Sequence, residues 1–202
     1  PHLRHLSGLD ESAPFTPAPM IQIFGGGRHA GNRIDIQDFL ILAIGATSFA
    51  EATEQIAEVY IAASKLMAQK GKLAGVADEG GLWPDFSANE EGLEILTRAI
   101  AAAGFTPGRD IGIALDVAAT SFYSNGAYRL ALENRSLDSA GMVNLMAQWV
   151  AAYPIVSLED PLAEDDDEGF AEITSRLGKS IQIIGDDYLT TSETRIAAAS
   201  DR

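Results

Sequence analysis

Asp116, Glu159 and Asp186 each stand at, or one glycine beyond, the C-terminal end of a short apolar run: Ile111–Leu115, Ile155–Leu158 and Ile181–Ile184. If those runs are parallel strands, their C-terminal ends gather on one face, where α/β proteins keep their active sites. Three carboxylates converging there raise one another's pKa and cannot all stay ionised without a cation. The chain contains no cysteine. Oxygen ligands alone suit Mg²⁺ or Mn²⁺ rather than zinc. Any one of these acids could instead cap a turn or face water; three in register favour metal.

Two further groups of residues could do chemistry. Asp78-Glu79-Gly80-Gly81 follows the apolar run Leu73–Ala77 and either brings a carboxylate into a tight loop against a substrate or forms an exposed acidic turn. Gly25-Gly26-Gly27-Arg28-His29 either lets backbone amides approach a phosphate, with His29 reaching the substrate, or is a flexible turn with a structural histidine. The acidic stretch Glu164–Glu168 reads as a solvated helix start.

The elements that must position these residues follow from periodicity. The clearest helix is Ser48–Lys70, with Ser48 and Glu51 as a capping box, Gly71 as its stop, and a stripe of Phe49, Ala52, Ile56, Val59, Ala63 and Leu66. A second is expected over about Asn89 to Ala103, capped by Ser87 and Glu90 and ended by Gly104. Ser139–Ala152 is a third, ending before Pro154 because a residue preceding proline prefers extended backbone. Residues 164–168 open a fourth that Gly178 ends, and Ser192–Ala199 opens another.

Met20–Phe24 reads as a strand stopping at the glycines, and Ile34–Ile44 as a buried strand. A turn at Ser124-Asn125-Gly126 leads into Tyr128–Leu132. From the middle onward strands alternate with helices, which implies parallel strands and crossover helices. A Rossmann-type sheet and a (β/α) barrel both fit. Residues 1–19, with Pro1, Pro14, Pro17 and Pro19, form an irregular lead-in.

The 202 residues are 47% hydrophobic and 21% charged, which excludes a disordered chain. No apolar run reaches the roughly 18 residues a membrane span needs. With 14 basic against 29 acidic residues the net charge is -15, which repels nucleic acid and anionic membranes. That balance fits a cytoplasmic protein kept soluble by charge, or one whose carboxylates hold metal. No signal peptide is visible. Pro1 and Asp201-Arg202 look like cut ends, so a piece of a longer protein is expected.

GGGRHAGNRIDIQDFLILAIGATSFAEA, then ADEGG, ALDVA, SLEDP and IIGDD come in the order and approximate spacing of the enolase family, the phosphopyruvate hydratases. The resemblance covers essentially the entire chain. It implies an incomplete (β/α) TIM-like barrel over residues 20–202, without the family's smaller N-terminal domain and the end of its barrel; a complete barrel has about 250 residues. It also implies a Mg²⁺-dependent lyase that reversibly dehydrates 2-phosphoglycerate to phosphoenolpyruvate in glycolysis and gluconeogenesis. Its substrate would be a small phosphorylated carboxylate, its location the cytoplasm, and its full-length form a homodimer. Through the resemblance, Asp116, Glu159 and Asp186 look like the Mg²⁺ ligands, with Glu159 and Asp186 also at the substrate. Glu79 looks like the general acid for the C3 hydroxyl. His29 and Gln37 fall where the family contacts substrate, and Asp38 where it has a glutamate positioning the leaving group.

Several residues depart from that pattern. Asp38 is one methylene shorter than the family's glutamate, Arg28 stands where a smaller or acidic residue is usual, and Gly25 stands where asparagine is common. Trp83-Pro84 shifts the proline after the Asp-Glu-Gly-Gly loop. The family's base is a lysine on a later strand. Here Lys65, Lys70 and Lys72 lie around one helix end and Lys179 precedes its strand, so none of them serves. The 202 residues alone are therefore expected to be inactive. The alternatives are a paralogue with another substrate, such as a carboxyphosphonoenolpyruvate synthase, and a non-catalytic binding protein on the same fold.

Overall fold

The computed structural model describes residues 17–200. Of the expected lead-in only residues 17–19 are described, and they carry no regular structure; the rest lies outside the described residues. In chain order the strands are Met20–Gly25 (β1), Asp38–Leu42 (β2), Leu73–Val76 (β3), Leu82–Pro84 (β4), Gly112–Asp116 (β5), Tyr123–Ser124 (β6), Ala127–Leu130 (β7), Arg135–Leu137 (β8), Ile155–Glu159 (β9) and Gln182–Ile184 (β10). The α-helices are Phe49–Gln69 (α1), Glu90–Ala102 (α2), Ser139–Ala152 (α3), Asp167–Leu177 (α4) and Glu193–Ser200 (α5).

Seven strands form one sheet in the order β10-β9-β5-β2-β1-β4-β3. Strands β5, β9 and β10 are parallel, as the alternation of the later sequence requires. The earlier part differs, because β2 is antiparallel to both β1 and β5. Residues 26–37 join β1 to β2 through a short 3₁₀ turn (Gly27–Ala30) with no crossover helix, so β2 must return beside β1 in the opposite direction. This reversal decides what the rim contains. Asp38, the first residue of β2, pairs with Asp116, the last of β5; Asp116 in turn pairs with Glu159, the last of β9. Among the described residues the sheet is open, with β10 and β3 at its edges.

The strand expected over Ile34–Ile44 begins only at Asp38. Ahead of it, the carbonyls of Ile34 and Gln37 accept from the amides of Gly27 (3.0 Å) and Gly26 (2.6 Å). Asp35 donates its amide to the Asn89 side chain at 2.8 Å. These bonds bend the segment while Ile34 and Ile36 stay fully buried.

Helix α1 is capped by Ser48, whose Oγ accepts from the Glu51 amide at 3.2 Å. The reciprocal half of the box is displaced: the Glu51 carboxylate takes the amide and hydroxyl of Thr47, at 2.8 and 2.7 Å. The helix buries Ala52, Ile56, Val59, Ala63 and Met67. Phe49, the first residue of the helix, leaves the expected stripe and is exposed. At α2 the box expected from Ser87 and Glu90 is made by Glu91, which accepts from the Ser87 amide and hydroxyl and from Lys72 Nζ. Glu90 instead accepts from the Tyr153 hydroxyl. Asp138 and Asp166 cap α3 and α4.

Between β5 and α3 lies a small antiparallel sheet, β6-β7-β8. Asn125 and Gly126, at φ 52° and 77°, make the left-handed hairpin turn that Ser124-Asn125-Gly126 signalled. Tyr128 of β7 is fully buried. Its hydroxyl donates to Asp166 at 2.6 Å and accepts the Ala163 amide at 2.9 Å. No helix is long and apolar enough to cross a membrane.

Candidate active site

The sheet rim is where chemistry gathers. Asp116 and Glu159 end neighbouring parallel strands, and carboxylate oxygens of Asp116, Glu159 and Asp160 all lie within 4.8 Å of one another. The Asp116 carboxylate accepts the Ala118 amide at 3.0 Å and the Gln37 side-chain amide at 3.0 Å. Burial, reinforced by Glu159, Asp38 and Asp160, pushes the Asp116 carboxyl up to about 8. Glu159 is raised by burial first and then by Asp160 and Asp186. Among the described residues, none of these acids forms an ion pair with a lysine or arginine. Ala118 and Asp160, just past the two strand ends, hold left-handed backbone at φ 44° and 40°, conformations that cost non-glycine residues energy and mark over-determined sites.

Asp186, the third acid expected to hold metal, is exposed one glycine beyond β10. It lies outside the compact group of three, though close enough to raise Glu159. Asp160 takes its place in that group, but its oxygens are already occupied. Only 2% exposed, it accepts the backbone amides of Asp186 (3.1 Å), Asp187 (2.7 Å) and Tyr188 (3.3 Å). It thus fixes the segment that carries Asp186.

On the other side of the rim Asp38 is buried. Burial raises its carboxyl, the Gln22 hydrogen bond and His29 lower it, and Glu79 raises it. Glu79 is exposed on the turn between β3 and β4, where Gln22 Nε2 donates to it at 3.2 Å. His29 is half-buried on the 3₁₀ turn (Gly27–Ala30). His29, Gln37, Asp38, Glu79, Asp116 and Glu159 therefore share one rim.

In the triple glycine, two of the three amides are already engaged within the fold. The amides of Gly26 and Gly27 are spent on the carbonyls of Gln37 and Ile34, and a Cβ at Gly26 would run into Ile34 and the Ile36 carbonyl. Its glycines serve close backbone approach. Two rim residues were not singled out from sequence, Gln22 and Asp160. A polar residue inside the apolar run Met20–Phe24 was the available signal for Gln22; for Asp160 it was the second acid in Ser157-Leu158-Glu159-Asp160-Pro161.

A partly parallel α/β sheet with a crowded acidic cluster at the C-terminal ends of its parallel strands is an arrangement that Rossmann-type sheets and (β/α) barrels share. Residues 14–202 match the family model for the enolase C-terminal TIM barrel domain, and the chain belongs to the enolase family. It is 49% identical over 199 residues to the protein named Enolase 1 of Desulfitobacterium hafniense (strain Y51). That match covers 97% of this chain and 45% of the relative, so the chain spans less than half of the relative's length.

Proposed function

We propose that this chain is the metal-holding part of a Mg²⁺-dependent lyase that interconverts 2-phosphoglycerate and phosphoenolpyruvate. The observation that carries the reading is the pairing of Asp38, Asp116 and Glu159 in one register at the rim. The residues fit a hard divalent cation: every donor is a carboxylate oxygen, and the Asp116 carboxyl is driven towards protonation by burial first and then by the acids around it. Asp116, Glu159 and Asp186 would hold it, because Asp160 is committed to backbone amides. Bound there, the cation supplies positive charge against the dianion formed when a proton leaves the carbon beside a carboxylate.

The chain's own residues do the rest. Gln37 donates to Asp116 and keeps that carboxylate facing the rim. Glu79 delivers a proton to the departing C3 hydroxyl, with Asp38 beside it on the leaving-group side. His29 contacts the substrate. None of the four lysines supports a role as base: Lys72 is paired with Glu91, Lys65 and Lys70 lie along and just past α1, and Lys179 lies at the far end of β10. The base is therefore not one of these lysines, and the homodimer and cytoplasmic setting that the family implies are proposed together with the activity.

The test is conversion of 2-phosphoglycerate by the full-length protein with and without Mg²⁺, followed by the absorbance of the conjugated product. Metal-dependent turnover that Asp116→Ala abolishes supports the reading, and none at any Mg²⁺ concentration overturns it. The contact between Asp38 and Gln22, together with exposed Arg28, favours a second reading, a lyase for a related phosphorylated or phosphonylated carboxylate. Turnover of such an analogue in place of 2-phosphoglycerate would select it.

A further inference from the structure

Gln22 makes three hydrogen bonds from one buried side chain, and they join β1 to two separate segments, β2 and the turn between β3 and β4. Its Nε2 donates to Asp38 on β2 and to Glu79 Oε2 on the turn at 3.2 Å, while its Oε1 accepts the Gly81 amide at 2.8 Å. An NH₂ group has two protons, and here each goes to a different carboxylate. Two acids that would repel are thus joined through one neutral donor. Packing enforces the same arrangement. A Cβ at Gly81 would overlap the Gln22 side chain, and one at Gly25 would overlap Ala77, which is buried where the turn begins. From the helix side the Tyr60 hydroxyl donates to the Gly80 carbonyl at 2.9 Å.

We infer that Gln22 is a positioning residue that latches the Glu79 turn to β1 and sets the direction of both Glu79 and Asp38 before any substrate arrives. This rests on the reading of Glu79 as the acid of the proposed lyase. An exposed acid on a glycine-rich turn would otherwise sample many orientations, whereas catalysis needs it held to within about 0.5 Å. The glycines at 25 and 81 are then part of the device, since each leaves the space that the latch closes.

The test uses the full-length protein with Gln22→Met, which keeps length and burial but makes no such bonds, and Gln22→Glu, which keeps the shape and repels both carboxylates. Hydrogen exchange at the Gly81 amide is expected to quicken about tenfold in Gln22→Met. Turnover of 2-phosphoglycerate should fall about 10–100-fold in kcat, with KM and Mg²⁺ affinity within about twofold of the parent. Gln22→Glu should fall further. Unchanged exchange at Gly81, or unchanged kcat in a folded Gln22→Met protein, overturns the latch. A parent protein that does not turn over 2-phosphoglycerate overturns the proposed function, and Gly81 exchange then still decides whether Gln22 holds the turn.

Discussion

Asp116 and Glu159 stand opposite each other as register partners at the ends of parallel strands, and among the described residues neither forms an ion pair with a lysine or arginine. The pair concentrates negative charge that folding itself must tolerate. Its carboxyls, with those of Asp38 and Asp160, are all pushed up, chiefly by burial.

The first consequence is a pH dependence of stability. The Asp116 carboxyl titrates near 8 in the fold against 3.8 as the reference value. Between those values the folded state holds more protons than the unfolded one, so stability is fully present at the acid side and is lost as pH rises towards 8. Asp110, held down to about 2 by Arg109, acts oppositely only below about pH 4. With a chelator present, the urea midpoint should fall from pH 5 to pH 8, and millimolar Mg²⁺ should flatten the decline. A midpoint that rises with pH in chelator would refute this.

Neutralising one member of the pair should separate stability from metal binding. Asp116→Asn keeps the size of the side chain and removes a crowded charge. Without metal it should stabilise the protein by about 1–3 kcal/mol, as relieved functional strain commonly does. Calorimetric Mg²⁺ binding should be lost in the same variant.

Asp38→Glu is expected to destabilise despite restoring the family's residue. Asp38 is 5% exposed and already touches Gln22, so an added methylene overpacks the site at a cost of about 1–3 kcal/mol. Shortening the partner by one methylene, Gln22→Asn, should recover most of the loss when the two changes are combined. Unfolding of the two single variants and the double variant measures that coupling.

Asn89 supports the bend ahead of β2. It is fully buried, accepts the amides of Asp35 and Ile36, and donates to the carboxylates of Asp35 and Glu133. Asn89→Ala leaves those groups without partners and should cost about 2–4 kcal/mol in chemical unfolding. Loss of Mg²⁺ affinity in the same variant would show that the bend also positions Gln37, which donates to Asp116.

Local physics made much of the fold readable. Ser139–Ala152 appears as expected because its start and its Pro154 stop are encoded in neighbouring residues. Asn125-Gly126 named its turn through backbone freedom alone. Asp116 and Glu159 were legible because both close apolar strands in the same direction. Asp38 was placed by resemblance, since it opens a strand and nothing local announces that β2 runs backwards. Gln22 and Asp160 carried only a local oddity each, a polar residue in an apolar run and a second acid at a strand end, which does not state a role. Their roles lie in bonds to residues far along the chain, Gly81 for one and residues 186–188 for the other, and no sequence window spans such a distance. The capping boxes show the same limit on a small scale: Glu51 took Thr47 as its partner, and the acid that answers Ser87 is Glu91 rather than the expected Glu90.

The Asp160 clasp also bears on the timing of assembly. Synthesis runs from the N-terminus, so Asp38, Asp116 and Glu159 leave the ribosome before the stretch that Asp160 gathers. The acidic rim is therefore finished only when the amides of Asp186, Asp187 and Tyr188 dock on that one buried carboxylate. Until those amides dock, Asp160 lacks the donors that occupy its oxygens in the fold, and Asp186 is not yet held at the rim.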